Sequence, residues 1–411
     1  MTPGVAPTLP RLSDALLPSL PAGVRRSAYD SRAVSLGIIH IGLGAFHRAH
    51  QAVYTDGCLA NGERDWGITG LSLRSSNVRA ALEPQDGLYT VLERGPDGDR
   101  ARIIGAVREA ITVPESPALA IRRLTDPATR IISLTVTEKA YCQDARIVPA
   151  TTDADRTAVE AYGYRDAWPV VTEPFSQWVI EDRFAAERPR WENAGALMVQ
   201  DVAPYEAMKL RILNGAHSAL AYLGASAGIE TVADAITDPV LAAFLRRLWD
   251  EDLLPTVPSV PGVDLAPYTV LLQERFRNPA IRHRLQQIAT DGSQKLPQRL
   301  LAPALDRLRT GASPRFIALA VAAWARYLLG RNEQGSTYAI SDPLAERLTD
   351  AVRGCGHNAV AMTERLFAVR EVFDPALAGH TAFHNAVSDA LASLLSKGVR
   401  ATVNDQIPAS I

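Results

Sequence analysis

The chain has few cysteines, little net charge and no long apolar run, and each shortage excludes a class of protein. Cys58, Cys142 and Cys355 are its only cysteines. They are widely separated and lack metal-ligand spacing, so neither a disulfide framework nor a zinc site is expected, and a reducing compartment fits. The formal charge is −2 over 411 residues, and the basic residues form no stripe, which excludes nucleic acid as an expected partner. The first thirty residues are rich in Pro and Leu but lack the basic start, apolar core and cleavage site of a secretory signal. The longest apolar helix candidate, Phe316 to Leu329, is interrupted by Arg326 and is too short to span a bilayer. The expectation is a soluble, cytoplasmic protein without membrane contact, long enough for two domains that each bury a core.

One stretch carries a concentration of chemistry. Tyr205 to Gly224, YEAMKLRILNGAHSALAYLG, reads as one helix, with Pro204 suited to its start and Gly224 to its end. Met208, Ile212, Ala216, Ala219 and Leu223 form an apolar stripe at helical spacing. At about 100° per residue, Glu206, Lys209, Asn214 and His217 fall within an arc of roughly 140° on the other side. Singly, a Lys–Glu pair or a lone His is commonly structural. Together on one face, Lys, Asn and His supply a general base, a carbonyl-polarising donor and an orienting partner, which suits proton abstraction from an alcohol.

The N-terminal half reads as α/β. After a loosely structured lead-in over residues 1–30, Gly37 to Ile41 is a buried parallel strand in character. A glycine turn follows, then a helical pattern from about Phe46, the context a dinucleotide site requires. Gly42 permits the tight turn and Gly44 lets backbone N–H groups approach a pyrophosphate. The third position of G-x-G-x-x-G is His47, so this fingerprint is incomplete. A second strand runs Trp66 to Leu73, and its end carries Arg74 where an acidic ribose ligand is usual. Arg74 either faces a 2′-phosphate or is a solvated loop residue. Leu88 to Glu93, Arg102 to Val107 and Arg130 to Thr137 read as further strands, and Ala118 to Leu124 as a helix. The C-terminal end of the strand that closes at Thr137, Glu138-Lys139-Ala140-Tyr141, then falls where open α/β sheets bind ligands. From about Pro204 the chain is predominantly helical, with Ser313 and Pro314 opening one helix and Gly330 closing it. The domains expected are a dinucleotide-binding domain over 31–185 and a helical substrate domain over 186–411.

GLGAFHRAHQ (Gly42 to Gln51), TEKAYC (Thr137 to Cys142), TEPFSQWVIED (Thr172 to Asp182), KLRILNGAHS (Lys209 to Ser218) and DGSQKLPQR (Asp291 to Arg299) together resemble the polyol-specific long-chain dehydrogenases, the mannitol dehydrogenase and fructuronate reductase family. The resemblance implies a Rossmann-type domain followed by a helical one. It implies NAD(P)-dependent interconversion of a secondary alcohol and a ketone without a metal, in a monomer or small homo-oligomer, with NAD as cofactor and NADP possible. By the same resemblance Lys209 is the general base, Asn214 and His217 hold and polarise the reacting oxygen, and Glu206 assists proton movement to Lys209. Lys295 and Lys139 bind substrate, and Phe46, His47, Arg48, Arg74, Thr137 and Glu138 join Gly42 and Gly44 at the cofactor. The wording QKLPQR is nearer to fructuronate reductases, so a hexuronate ketone is the first substrate expected and a mannitol- or arabinitol-type polyol the alternative.

The sequence departs from that family in one place. Cys142 is followed almost at once by Arg146-Ile147-Val148-Pro149, where the family has several tens of residues that include a second polarising Asn. A shortened nucleotide domain is therefore expected, and a nucleotide-binding relic without turnover is the competing reading.

Overall fold

The apolar run Leu36–Ile41 forms a strand buried along its middle on both faces, as a run without alternation requires. The computed structural model describes residues 9–136 and 151–407. The chain divides into Met1–Val202 and Ala203–Ile411. Thr137, Glu138 and Lys139, and with them Cys142 and the junction that follows, lie outside the described residues.

The first unit has strands β1 (Val24–Arg25), β2 (Leu36–Ile41), β3 (Gly67–Ser72), β4 (Tyr89–Gly95), β5 (Gly98–Ile104), β6 (Val107–Thr112), β7 (Ile131–Leu134), β8 (Val170–Thr172), β9 (Val179–Glu181) and β10 (Leu197–Val199). Its helices are α1 (Ala45–Ala49), α2 (Gln51–Ala60), α3 (Asn77–Leu82), α4 (Pro117–Leu124) and α5 (Asp153–Glu160). An all-parallel sheet runs β6-β3-β2-β7. Strand order therefore reverses between β2 and β7, which is where a doubly wound sheet opens its ligand crevice. One face of the sheet packs Ile38, Ile68 and Leu43 against Ala52, Cys58 and Leu59 of α2. The other buries Ile39, Leu71 and Ile111 against Ala120 of α4. Among the described residues β7 pairs only with β2. Its alternate residues Ile132 and Leu134, with Val136 beyond, are each more than half exposed.

A mixed sheet, β1-β5-β4-β8, stands beside the parallel one. The sequence suggested one strand over Arg102 to Val107. The chain instead turns at Gly105 and Ala106, so that Gly98–Ile104 joins the mixed sheet and Val107–Thr112 the parallel one. The lead-in is also packed rather than loose. Leu12, Leu20 and Val24 are buried in a cluster with Leu92 and Ile103, and the Leu12 N–H donates to the Arg165 carbonyl at 2.9 Å. The division falls after Val202 because Trp191 is buried in the first unit's core and β10 pairs with β9. Gly57 is needed there, since a Cβ would lie 2.9 Å from that of Ala194.

The second unit opens with α6 (Ala203–Met208), a π-helical segment Lys209–Gly215 and α7 (Ala216–Ser226). At its centre the helix Arg315–Tyr327 is buried from Phe316 onward and contacts α7 and the helix Thr381–Lys397. Its start is not capped by Ser313. Pro314 takes the N-cap position without a side-chain bond, and the Asp252 carboxylate accepts from the Phe316 and Ile317 N–H groups, both at 2.8 Å. Among the described residues, no helix is long and apolar enough to cross a membrane.

Candidate active site

In the first unit the glycine turn leaves the C-terminal end of β2, beside the point of strand reversal. Gly42 has φ +92°, a conformation that costs other residues, and its N–H donates to the Leu71 carbonyl at 2.8 Å. A Cβ built on Gly42 or Gly44 would meet nothing within 4 Å, so open space lies over both. Phe46 is 58% exposed and stacks on His50. Arg74 is exposed in the bend after β3. These features fit the adenylate and phosphate half of a dinucleotide.

The side chains of His47 and Arg48, expected at the cofactor, turn inward instead. His47 is 1% exposed and stacks on His40 with centroids 3.6 Å apart. His40 Nδ1 lies 2.9 Å from Ser133 Oγ, its neighbour across the β2–β7 register. Neither His47 nitrogen has a hydrogen-bond partner among the described residues. Burial lowers His40 to about 4 and His47 well below the usual histidine range, so both are neutral at pH 7. Arg48 is fully buried. Its guanidinium donates to the Trp168 carbonyl and lies over the Tyr89 and Trp168 rings. Its own carbonyl accepts from the Tyr89 hydroxyl at 2.8 Å. Burial lowers Arg48 to about 10, which leaves it charged. These two residues brace the turn from below.

In the second unit the helix carrying the Lys, Asn and His exists, but not as one α-helix. Lys209–Gly215 is π-helical, and i→i+5 bonding widens the turn. Under α geometry Lys209 and Asn214 are the outer limits of the polar arc, about 140° apart. In a π turn, residues five apart return to nearly the same side, so the correction brings the two closer in angle. The predicted apolar stripe from Met208 to Leu223 is buried throughout. Glu206 and Lys209 are exposed, and Asn214 and His217 are half-buried.

His217 stacks on Phe276 with centroids 4.3 Å apart and meets His283 edge-on at 6.3 Å. Its Nε2 is inaccessible and has no hydrogen-bond partner among the described residues. Burial, reinforced by His283, Arg275 and Arg299, lowers its pKa to about 3. A neutral imidazole has one N–H to donate. Lys295 donates to the Thr290 carbonyl at 2.7 Å and lies 3.9 Å from the Asp291 carboxylate. It opens onto the π-helical segment Pro297–Leu301, which packs on Lys209–Gly215. A Cβ on Gly215 would lie 2.9 Å from the Arg299 carbonyl oxygen, so only glycine permits that approach.

The sequence reading missed Phe276, His283, Arg299 and Trp249 around this face. Trp249 carried a usable signal, because a buried indole N–H seeks an acceptor. It donates to the Ile212 carbonyl at 2.9 Å.

Family comparison agrees with both halves. The Mannitol dehydrogenase Rossmann domain model matches residues 36–143 and 140–193, and the Mannitol dehydrogenase C-terminal domain model matches 201–395. The D-mannonate oxidoreductase of Escherichia coli K12 is 34% identical over 476 aligned positions, covering 92% of this chain and 97% of the relative. Those positions outnumber the 411 residues here, so the relative has residues without counterparts in this chain. The structure of Pseudomonas fluorescens mannitol 2-dehydrogenase in ternary complex with NAD and D-mannitol is 33% identical. It superposes with a TM-score of 0.85, covering 96% of this chain and 99% of that one. A substrate-free D-sorbitol dehydrogenase superposes with a TM-score of 0.83 at 26% identity, covering 95% of this chain and all of the other. A parallel-stranded Rossmann unit, a helical second unit and near-complete coverage by both domain models place the chain in the mannitol dehydrogenase family.

Proposed function

We propose that the chain is an NAD-dependent oxidoreductase that interconverts a secondary alcohol of a sugar acid and the corresponding ketone, D-mannonate and D-fructuronate being the first pair to test. The observation that carries this is one helix bearing Lys209 and Asn214 within a single π turn and a neutral His217 just beyond it. NAD, when bound, would supply the acceptor for the hydride of the alcohol carbon. Lys209 removes the hydroxyl proton, and Glu206, one turn earlier and exposed, passes it to water. Asn214 and the single N–H of His217 hold the oxygen as it becomes a carbonyl, and Lys295 takes a substrate hydroxyl or carboxylate oxygen. The Gly42–Gly44 turn holds the pyrophosphate, with Phe46 and Arg74 beside it, and His47 and Arg48 support the turn. Lys209→Ala tests the assignment. A base of this kind contributes about 10²–10⁴-fold, so turnover should fall by that order with NADH binding retained, and unchanged turnover would sink the assignment. A mannitol-type polyol is the alternative substrate, since the similar solved structure holds D-mannitol. A hexuronate specialist should reject uncharged polyols in a panel at saturating cofactor.

A second reading is favoured by one observation. The two Rossmann matches meet at residues 140–143, the position where the sequence lacks a family segment, and among the described residues no strand lies beyond β7 on its side of the sheet. On this reading the chain binds the adenylate half of the cofactor without transferring hydride. Titration with NADH followed by addition of fructuronate separates the two readings. Oxidation of bound NADH rules out the relic, and binding without oxidation supports it.

A further inference from the structure

Of three π-helical segments, Lys209–Gly215, Leu248–Leu253 and Pro297–Leu301, the second and third meet the first at Ile212–Gly215. Gly215 approaches the third through the Arg299 carbonyl and the second through Leu253. Trp249, in the second, is 2% exposed, and its indole N–H donates to the Ile212 carbonyl at 2.9 Å. A widened turn breaks the regular i→i+4 ladder, and a side chain that reaches into the ladder is one cause of such breaks. The Trp249 bond falls in the middle of the turn that carries Lys209 and Asn214. The same indole lies 6.3 Å from the Phe276 ring, on which His217 stacks. One side chain therefore touches the backbone between Lys209 and Asn214 and the support of His217.

We propose that Trp249 is a positioning residue, whose hydrogen bond to Ile212 keeps the Lys209–Gly215 segment π-helical so that Lys209 and Asn214 face the same substrate oxygen. This rests on the assignment of Lys209 as the base. Without the bond, the segment relaxes toward α-helical geometry, and Lys209 and Asn214 swing apart toward the roughly 140° of an α-helix.

The test uses the full-length chain with Trp249→Phe and, separately, with 3-benzothienylalanine at position 249, which keeps the bicyclic shape and replaces N–H by sulfur. Read-outs are kcat and KM for fructuronate, NADH Kd by fluorescence, the pH profile of kcat, and amide hydrogen exchange over residues 212–217. Expected are a roughly tenfold fall in kcat, matching one lost hydrogen bond, unchanged KM and NADH Kd, a displaced pH profile and faster exchange. A core residue of merely structural importance would lower Tm and leave kcat per folded molecule and the pH profile alone, and that result overturns the proposal. If Trp249→Phe does not fold, the isosteric variant decides. Lys209→Ala is run in parallel. Full turnover there overturns the assignment of the base, whereas lost turnover with intact Trp249 variants overturns only the positioning role. A wild-type chain without turnover overturns both.

Discussion

His217 lies face to face with Phe276, the ring centroids 4.3 Å apart and the planes 24° from parallel. Its burial there, together with His283, Arg275 and Arg299, lowers the imidazole from 6.5 to about 3. Between those values the unfolded chain binds a proton that the folded chain refuses, so stability rises with pH across the window. The contribution of His217 is fully present above about pH 6.5 and is lost as pH falls toward 3. His217→Phe should therefore flatten the dependence of Tm on pH below 6.5, with His40, lowered to about 4, retaining part of it. A variant curve parallel to wild type from pH 6.5 to 4 would contradict a neutral imidazole at this position.

Gly42 takes φ +92° in the turn after β2, and Gly42→Ala should cost about 1–2 kcal/mol for that conformation. Open space over the residue means that strain, and no steric clash, carries the cost. The variant should melt earlier and bind NADH more weakly, as read by fluorescence titration. Unchanged NADH affinity in a destabilised variant would remove this turn from the cofactor site.

Arg74 is exposed where the second strand of a dinucleotide fold normally presents a ribose ligand. If it faces a 2′-phosphate, Arg74→Ala should weaken NADPH and spare NADH, by roughly tenfold for one charge-assisted contact. Equal effects on the two cofactors, or none, would make it a solvated loop residue and leave NAD the natural partner.

The sequence displayed the scaffold of the site more clearly than its detail. The strand before Gly42, the helix carrying Lys209 and the division into an α/β and a helical half all follow from local periodicity and glycine placement. The π turn does not. Its residues keep an apolar spacing that an α-helix would also satisfy, and the chain that packs on it, Trp249 and Arg299 included, comes from far downstream. The inward side chains of His47 and Arg48 were equally hidden, because their partners His40, Tyr89 and Trp168 are brought in by the sheet and by chain far downstream. The packing of Leu12 against distant strands escaped notice for the same reason.

The outer strand of the parallel sheet has a consequence for handling the protein. Among the described residues β7 pairs only with β2, and Ile132 and Leu134 are turned to solvent. An open, apolar edge is a template for further strands, and a net charge of −2 gives neighbouring molecules little mutual repulsion. In concentrated solution, aggregation is predicted to begin at this edge while the rest of the chain is still folded.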